Sequence, residues 1–169
     1  MKKQVLWAIS LFVLTALLLY GCCGPTSARS GGSTQGGQAS TIFHEGDTFI
    51  VGELQYQVLN IREQDSVSYA QARSGSRFVV FDVHVDNVGD ESDSVSSLNM
   101  KVYDTQNREY DVAGGDQVGR GGTNIQPELS EDYRNFYVEV AESTPRSQLT
   151  LKIVDNFFLP STEASVRLG

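Results

Sequence analysis

The residues best suited to covalent chemistry in this sequence are two adjacent thiols, Cys22 and Cys23, which are its only cysteines. Leu19, Tyr20 and Gly21 precede Cys22, so that an apolar run closes on a small residue and then on a sulfur nucleophile. Because the two cysteines are neighbours, the rest of the chain has no thiol with which to form an internal disulfide. The thiols therefore indicate modification near the N-terminus.

The segment before Cys22 has the organisation of a secretion signal. Lys2 and Lys3 form a positive start, and Val5 to Tyr20 is an almost uninterrupted apolar run of about sixteen residues, which is signal-peptide length. A spanning helix needs roughly 20 apolar residues with anchoring flanks. The junction resembles the lipobox of bacterial lipoproteins. That resemblance implies that residues 1–21 are a cleaved lipoprotein signal peptide and that Cys22 carries fatty acids such as palmitate.

Two alternatives stay open for this segment. Without cleavage it would act as a membrane anchor, and the basic N-terminus would still leave the remaining chain outside the cytoplasm. With cleavage one residue later, Cys23 would be the lipidated residue, although Leu19 and Gly21 suit a site at Cys22 better. Two or three acyl chains hold a protein firmly at a membrane, because each buried methylene contributes about 0.8 kcal/mol.

Residues 22–40 are predicted to be a linker that begins with the lipidated cysteine. Gly24 to Ser40 consists largely of Gly, Ser, Thr and Gln, a composition that cannot repay the entropy of ordering. A linker of this length spans about 20 to 25 Å. Residues 41–169 are then the folded domain with a C-terminal tail.

The charge of the chain excludes one class of partner. Its formal net charge is −8 at pH 7, and Lys101 and Lys152 are the only lysines after the predicted signal peptide. Phosphate backbones are bound by clustered Lys and Arg, so nucleic acid is not expected as a partner. We expect a membrane contact through the lipid and a protein or another component of the cell envelope as the partner.

From Thr41 onward the sequence consists of short β-rich runs separated by Gly, Asn and Asp. In the clearest run, Val79, Phe81, Val83 and Val85 share one face, and Val80, Asp82, His84 and Asp86 share the face toward water. Seven strands are predicted by such patterns and by flanking turn residues: Thr48–Val51, Leu54–Arg62, Arg77–Asn87, Met100–Asp104, Glu109–Val112, Phe136–Val140 and Leu149–Ile153.

Seven to eight short strands without a helical period predict an all-β fold, an immunoglobulin-like antiparallel β-sandwich. A closed barrel is the alternative that the same alternation permits. Asn107 is predicted to close a hairpin in a left-handed conformation. The tail from Asn156, which contains Phe157, Phe158, Leu159, Val166 and Leu168, is expected to pack on a sheet edge.

The chain also resembles a family of uncharacterised bacterial lipoproteins whose single domain has a telokin-like immunoglobulin fold. The resemblance covers roughly Phe43 to Asp155 and implies a fold and a surface location, but no activity. The sequence departs from the family pattern at Asn107 and Glu128, where glycine is usual. It departs also at Pro145, which stands later than in the family and suggests a longer final hairpin. The segments that carry it are Gly46-Asp47-Thr48, Leu54–Leu59, Arg77–Val83 with Asn87, Asp104–Tyr110, and Pro127 ahead of Phe136–Val140.

Candidate chemical sites are few. His44 and His84 are the only histidines, and a zinc site would need both of them together with carboxylates such as Asp82 or Asp86. The simpler interpretation places His84 in a solvated or edge-packed strand and His44 at the start of the domain.

The carboxylates Asp90, Glu91 and Asp93 could bind calcium, but the spacing of a hand-type calcium loop is missing and an exposed turn explains them. The loop Gly114 to Gly122 lacks the residues of a phosphate cradle. The domain also has no cysteine nucleophile and no serine elbow. No cofactor, metal or enzyme activity is predicted.

The sequence thus predicts a lipoprotein anchored on the extracytoplasmic side of a bacterial membrane, with an immunoglobulin-like module for binding or envelope assembly. A calcium or solute sensor that uses the acidic loop is the alternative, followed by a hydrolase.

Overall fold

The computed structural model describes residues 41–115 and 122–169. The predicted signal peptide, the lipidation site Cys22 and the linker to residue 40 lie outside these ranges. The strands are β1 (Ile42–Phe43), β2 (Thr48–Val51), β3 (Leu54–Gln64), β4 (Ser66–Val67), β5 (Ala70–Gln71), β6 (Ser76–Asn87), β7 (Asp93–Val95), β8 (Met100–Tyr103), β9 (Glu109–Asp111), β10 (Ala113–Gly114), β11 (Thr123–Ile125), β12 (Ser130–Ala141), β13 (Thr150–Val154) and β14 (Glu163–Arg167). Two 3₁₀ turns occupy Ser97–Asn99 and Arg146–Gln148.

Two five-stranded sheets make up most of this architecture. The first has the order β1-β14-β13-β8-β9 and the second the order β10-β12-β6-β3-β2. Two short ribbons, β7 with β11 and β4 with β5, lie beside them. All strand pairs are antiparallel except β1 with β14, which is parallel. The predicted immunoglobulin-like sandwich is confirmed. The strands form two separate five-stranded sheets, so the alternative prediction of a closed barrel is wrong.

The core lies between the inner faces of these sheets. Val79, Phe81, Val83 and Val85 of β6 are each at most 1% exposed, which confirms the face predicted from their alternation. Facing residues of the other sheet, such as Leu151, are equally buried. Among the described residues, every buried member of this core lies between residues 49 and 168, so residues 41–169 contain the whole of this core.

The seven predicted strands are all present, with ends that shift by a few residues. The largest shift is in β12, which begins at Ser130, six positions before the predicted start at Phe136. Asn107 has a φ of +59°, which confirms its predicted left-handed conformation. Glu128 has a φ of +62°, so both positions where glycine is usual in the resembling family do need left-handed backbone.

Four expectations need correction. The described strands outnumber the seven to eight predicted, because several are two or three residues long. Val80, which was expected on the face toward water, is fully buried beneath β4 and β5. The longer final hairpin expected from Pro145 does not form, because β12 and β13 lie in different sheets.

The fourth correction concerns the tail, which is only partly packed. Val166 and Leu168 are fully buried, and β14 pairs with β13. Phe158 and Leu159, in contrast, are more than 80% exposed. No helix within residues 41–115 and 122–169 has the length and apolar character needed to cross a bilayer.

Candidate functional site

The outer face of the second sheet carries a small apolar cluster of its own. Val67, Phe78 and Val80 are buried in it, and Ala70 and Tyr137 pack against them. Val67 and Ala70 are paired across the β4-β5 hairpin, which therefore folds over this face of the sheet. The hairpin converts a sheet surface that would otherwise face water into the wall of a depression.

A hollow of about 520 Å³ opens beside this cluster. Three aromatic rings, from Phe78, Tyr110 and Tyr137, line it together with Arg73 and Glu139, and these five residues define what we call the aromatic hollow. The rings of Phe78 and Tyr137 meet edge to face with their centroids 4.9 Å apart. The hollow thus combines ring faces with charged groups.

Glu139 holds a guanidinium at this hollow. The Nη2 atom of Arg73 lies 2.9 Å from Oε2 of Glu139, and the backbone N–H of Arg73 donates to Oε1 at 2.8 Å. The hydrogen bonds from Arg73 hold the pKa of Glu139 below its usual range. The Arg73 side chain is 81% exposed and that of Glu139 only 22%, so the carboxylate is fixed whereas its cationic partner faces solvent.

Two more carboxylates line the same hollow, those of Glu109 and Asp111. Lys101 forms ion pairs with both, at 3.1 Å from Oε1 of Glu109 and at a shorter distance from Asp111. Tyr103 donates its hydroxyl to Oε2 of Glu109 at 2.9 Å. The pKa of Glu109 is lowered most by this hydrogen bond and next by the hydrogen bond from Lys101. The hollow therefore carries more negative than positive groups at neutral pH.

The hairpin from β8 to β9 positions Tyr110 at the hollow. The carboxylate of Asp104 accepts the Arg108 Nε–H at 2.6 Å, the Tyr110 hydroxyl at 3.0 Å and the backbone N–H of Gln106 at 2.9 Å. Desolvation opposes ionisation of Asp104, but these hydrogen bonds outweigh it and lower its pKa to about 2. Asp104 stays charged and keeps the hairpin, and with it Tyr110, in place.

His84 lies in β6, between β3 and β12, so the edge-packed position is wrong; its side chain is 32% exposed, as in a partly solvated strand residue. Its Nδ1 is 2.7 Å from Oδ1 of Asp132 and its Nε2 is 3.2 Å from Oδ1 of Asp86. Within residues 41–115 and 122–169, no three His, Cys, Asp or Glu side chains are grouped so that they could hold a metal ion. The zinc interpretation therefore gains no support.

The acidic loop after β6 is arranged by hydrogen bonds from the protein itself. Asn87 donates from Nδ2 to the carbonyl oxygens of Glu91 and Ile125, at 2.8 and 2.9 Å. Asp93 begins β7 and accepts the backbone N–H of Ser94 at 2.7 Å. Asp90 and Glu91 are exposed, as in an ordinary turn. This geometry does not favour the calcium alternative.

The glycine-rich loop is described only at its two ends. Gly114 and Gly115 have positive φ, and they pack so tightly against Tyr137 and Phe136 that neither position has room for a Cβ atom. Residues 116–121 lie outside the described ranges. At the start of the loop, close packing against β12 explains why residues 114 and 115 are glycines.

The aromatic hollow was not predicted from the sequence. One signal pointed to it: Phe78 and Val80 are apolar residues on the face of β6 that was expected to meet water. Two such residues on one polar face indicate that something covers it. The cover is the β4-β5 hairpin, whose two-residue strands have no periodicity by which to find them.

Several solved structures share this fold. The yjhA protein from Bacillus subtilis is 14% identical, with a TM-score of 0.58 over 75% of this chain and 99% of that one. The secreted protein MPT63 from Mycobacterium tuberculosis is 14% identical, with a TM-score of 0.53 over 75% of this chain and 98% of that one.

A third structure is that of ycdA from Bacillus subtilis subsp. subtilis str. 168, described as a "putative lipoprotein". It is 13% identical, with a TM-score of 0.55 over 73% of this chain, and the match spans only 38% of that longer chain. At these identities the likeness concerns the fold alone.

No curated protein matches the chain by sequence. A family model does match it: the domain of unknown function DUF4352 covers residues 43–134, from β1 into β12. Because this match spans more than half of the 169 residues, the chain belongs to the DUF4352 family.

Proposed function

We propose that this chain is a lipoprotein, anchored through Cys22 on the extracytoplasmic side of a bacterial membrane, whose β-sandwich binds a protein partner in the cell envelope. The observation that carries the binding role is the aromatic hollow, which combines three rings with a surplus of carboxylates. The anchor is supported by the signal pattern before Cys22. The names of two proteins of the same fold, one secreted and one described as a lipoprotein, agree with such a location.

The chemistry of the hollow favours a cationic group. Ring faces attract ammonium and guanidinium groups because their electron density is negative, and the attraction grows as water is excluded. The hollow also holds one cation of the chain's own, the guanidinium of Arg73 on Glu139. Since Arg73 is mostly exposed, a Lys or Arg side chain of a partner could replace it at Glu139 without unfolding the domain. We therefore expect the partner to present a basic segment.

Nothing in this proposal requires catalysis. The charged groups that line the hollow form ion pairs, Arg73 with Glu139 and Lys101 with Glu109. Binding of a cationic group needs only the rings and carboxylates of the hollow, with no reaction at any of them. The proposed function is therefore that of a recognition module and not that of an enzyme.

The anchor is tested by lipid labelling in cells. Growth with a labelled fatty acid should label the intact protein, and Cys22→Ser should abolish the label while leaving the domain folded. Cys23→Ser is the matched control and should keep the label. If the label survives Cys22→Ser and is lost in Cys23→Ser, the lipidated residue is Cys23. If neither single change nor the double change affects labelling, the lipoprotein assignment is wrong.

The binding site is tested by co-purification from envelope extracts. The intact protein should recover a reproducible partner, and Glu139→Gln should reduce its recovery at least fivefold. Glu131→Gln makes the same charge change on the same strand, about eight residues away along β12, and should not affect recovery. Equal recovery by all three proteins would place the binding surface elsewhere, and recovery of lipid alone would refute the binding role.

A further inference from the structure

Five connections meet at one end of the sandwich, which we call the apolar end: residues 52–53, 88–92, 96–99, 126–129 and 155–162. The backbone N–H of Val88 donates to the carbonyl of Glu53 at 3.0 Å, and that of Gly52 donates to Oγ1 of Thr162 at 2.7 Å. Asn99 reaches the carbonyl of Asp155 at 3.2 Å. These bonds join the loops into one surface.

Most of the exposed large apolar side chains of the described residues lie at this end. Phe158 and Leu159 are 84% and 81% exposed, Val88, Leu98 and Leu129 are each 54% exposed, and Phe157 is 45% exposed. Elsewhere the exposed large apolar residues are Ile42, Ile50 and Tyr69. Apolar surface gathered in this way marks an interaction site.

The loop that carries Phe158 is held in a protruding shape. Asp155 accepts the backbone N–H groups of Asn156 and Ser161, at 2.8 and 2.9 Å. The side chain of Asn156 accepts the N–H of Phe158 at 2.9 Å. Hydrogen bonds to Ser161 and to neighbouring backbone lower the pKa of Asp155 to about 2, so this support persists at any physiological pH. The loop thus presents Phe158 and Leu159 to the surroundings and does not fold them onto the core.

The N-terminal segment joins the domain at this same end. β14 starts at Glu163, directly after the loop, and runs away from the apolar end. β1 runs parallel to it, with Ile42 level with Ser165. Thr41 therefore lies about 3 Å closer to the apolar end than Ile42 does. β1 therefore begins on the side of the sandwich that faces the apolar end.

We propose that the apolar end rests on a lipid bilayer, with Phe158 and Leu159 inserted among the lipids. This inference rests on the proposed lipid anchor at Cys22, which lies only 20 residues before Ile42. A chain of that length spans about 25 Å, and the effective concentration of a module on such a tether is on the order of millimolar. Weak insertion by two side chains is enough at such a concentration.

A bilayer explains the shape and position of this surface. A protein groove could also accept Phe158, but only for the bilayer does the attachment point of the chain bring the loop to its target. The aromatic hollow lies toward the other end of β6 and β12, where Phe78 and Glu139 pair. With the apolar end on the membrane, the side of the hollow formed by Phe78 and Glu139 is the side farther from the bilayer and stays accessible to a partner.

The charges near the apolar end indicate which lipids it prefers. Lys101 and Lys152, the only lysines beyond position 3, lie beside the loop, and Lys101 sits 5.9 Å from the centre of the Phe157 ring. Both are paired, Lys152 with Glu163 at 3.0 Å, and Glu53 and Asp90 add negative charge at the same end. Insertion is therefore driven by apolar burial, and anionic lipid should not strengthen it.

The depth of the loop in lipid can be measured directly. An environment-sensitive fluorophore is attached at Phe158→Cys in the Cys23→Ser background of the full lipoprotein, reconstituted in phosphatidylcholine vesicles that contain a spin-labelled quencher lipid. Tyr69→Cys, at the tip of the β4-β5 hairpin and fully exposed, is the matched control position. We expect at least threefold stronger quenching at position 158 than at position 69. Equal quenching at both positions would overturn the proposal.

A second arm separates docking from anchoring. Residues 41–169 alone, carrying the same probes, are mixed with excess vesicles of phosphatidylcholine, with or without phosphatidylglycerol. Quenching should again be stronger at position 158 than at position 69, and it should not increase with phosphatidylglycerol. It should be lost in the Leu159→Ser variant with the probe at position 158. If this arm succeeds while lipid labelling of cells fails, docking stands and the anchor is wrong. If position 158 is shielded only by an added envelope protein and never quenched by lipid, the surface is a protein interface and our inference is wrong.

Discussion

The carboxylate of Asp82, on the central strand β6, accepts the backbone N–H of Asn135 at 2.9 Å, where β12 bulges. On the opposite side of β6, the strand β3 bulges as well, and there Asn60 donates from Nδ2 to the other Asp82 oxygen at 3.0 Å. Both asparagines have positive φ, +61° and +52°. Arg62 joins the two bulges by donating to Oδ1 of Asn135 at 2.6 Å. One carboxylate thus fixes the irregular point of both neighbouring strands.

Removal of this carboxylate should destabilise the domain. We expect Asp82→Ala to lower the free energy of unfolding of residues 41–169 by about 2 to 3 kcal/mol, because the Asn135 N–H, the Asn60 amide and the Arg62 guanidinium lose their acceptor together. Urea denaturation measures the change. Asp90→Ala, which removes an exposed carboxylate from the loop after β6, should change stability by less than about 0.5 kcal/mol. Equal effects of the two changes would show that Asp82 does not support the bulges.

His84 should make stability depend on pH. Its hydrogen bond to Asp132 raises the pKa of the imidazole, against a smaller opposing effect of burial, and Asp86 adds to the rise. The charged form is therefore favoured by folding. Its contribution is fully present below the unfolded pKa of about 6.5 and is lost as pH rises through the higher folded pKa.

The check is the difference in unfolding free energy between the natural domain and His84→Gln, measured from pH 5 to pH 9. Gln57, which lies opposite His84 on β3, is neutral and does not titrate in this range. We expect the natural domain to lose its advantage as the pH rises above about 6.5. An advantage that grows with pH would contradict the observed arrangement.

Phe81 should be among the most costly core residues to truncate. It is fully buried and stacks on Phe136 with ring centroids 5.8 Å apart. Phe81→Ala should cost about 3 to 5 kcal/mol, the sum of lost burial and the cavity left behind. Ile50→Ala, at a position 59% exposed, should cost far less in the same denaturation experiment. A loss below about 1 kcal/mol for Phe81→Ala would mean that the core repacks around the missing ring.

Glu128 occupies a position where glycine should be more stable. Its φ of +62° carries a cost of about 1 kcal/mol for a residue with a Cβ atom. Glu128→Gly removes that cost and keeps the backbone hydrogen bond to the Asn87 carbonyl, although the unfolded chain gains freedom. We expect a net gain of up to about 1 kcal/mol, seen as a higher melting temperature. Glu131→Gly, in regular strand, should lower it, and a fall in both variants would contradict the backbone argument.

The long strands were predictable because each buries one face. In β13 and in β6 from Phe81 to Asp86 the apolar side chains alternate with polar ones, and turn residues flank both strands, so the pattern gives the core face correctly. Asn107 was predictable from chemistry, since its side chain tolerates positive φ and it stands in a polar hairpin. Local sequence was sufficient wherever the deciding interaction is local.

The short elements were not predictable, because other parts of the chain create them. β1 and β4 are two residues long and exist only through their pairing with β14 and β5. The burial of Val80 depends on that second pair. The asparagines of the bulges, Asn60 and Asn135, have no sequence signal that links them to Asp82 on the strand between them. The aromatic hollow was missed for the same reason, since its five residues come from distant segments.

The two-residue length of β1 decides how the domain responds to tension. A pull on the chain before Thr41 acts along β1 and loads its few hydrogen bonds to β14 in shear, together with the stacking of Phe43 on Phe49 at 4.8 Å. The next attachment is Glu45, which accepts the backbone N–H of Ile61 at 3.0 Å. β1, with two paired residues, is therefore the strand that we expect to detach first, before the much longer ladders of β3, β6 and β12. Tension on the N-terminal segment should release β1 before it unfolds the rest of the sandwich.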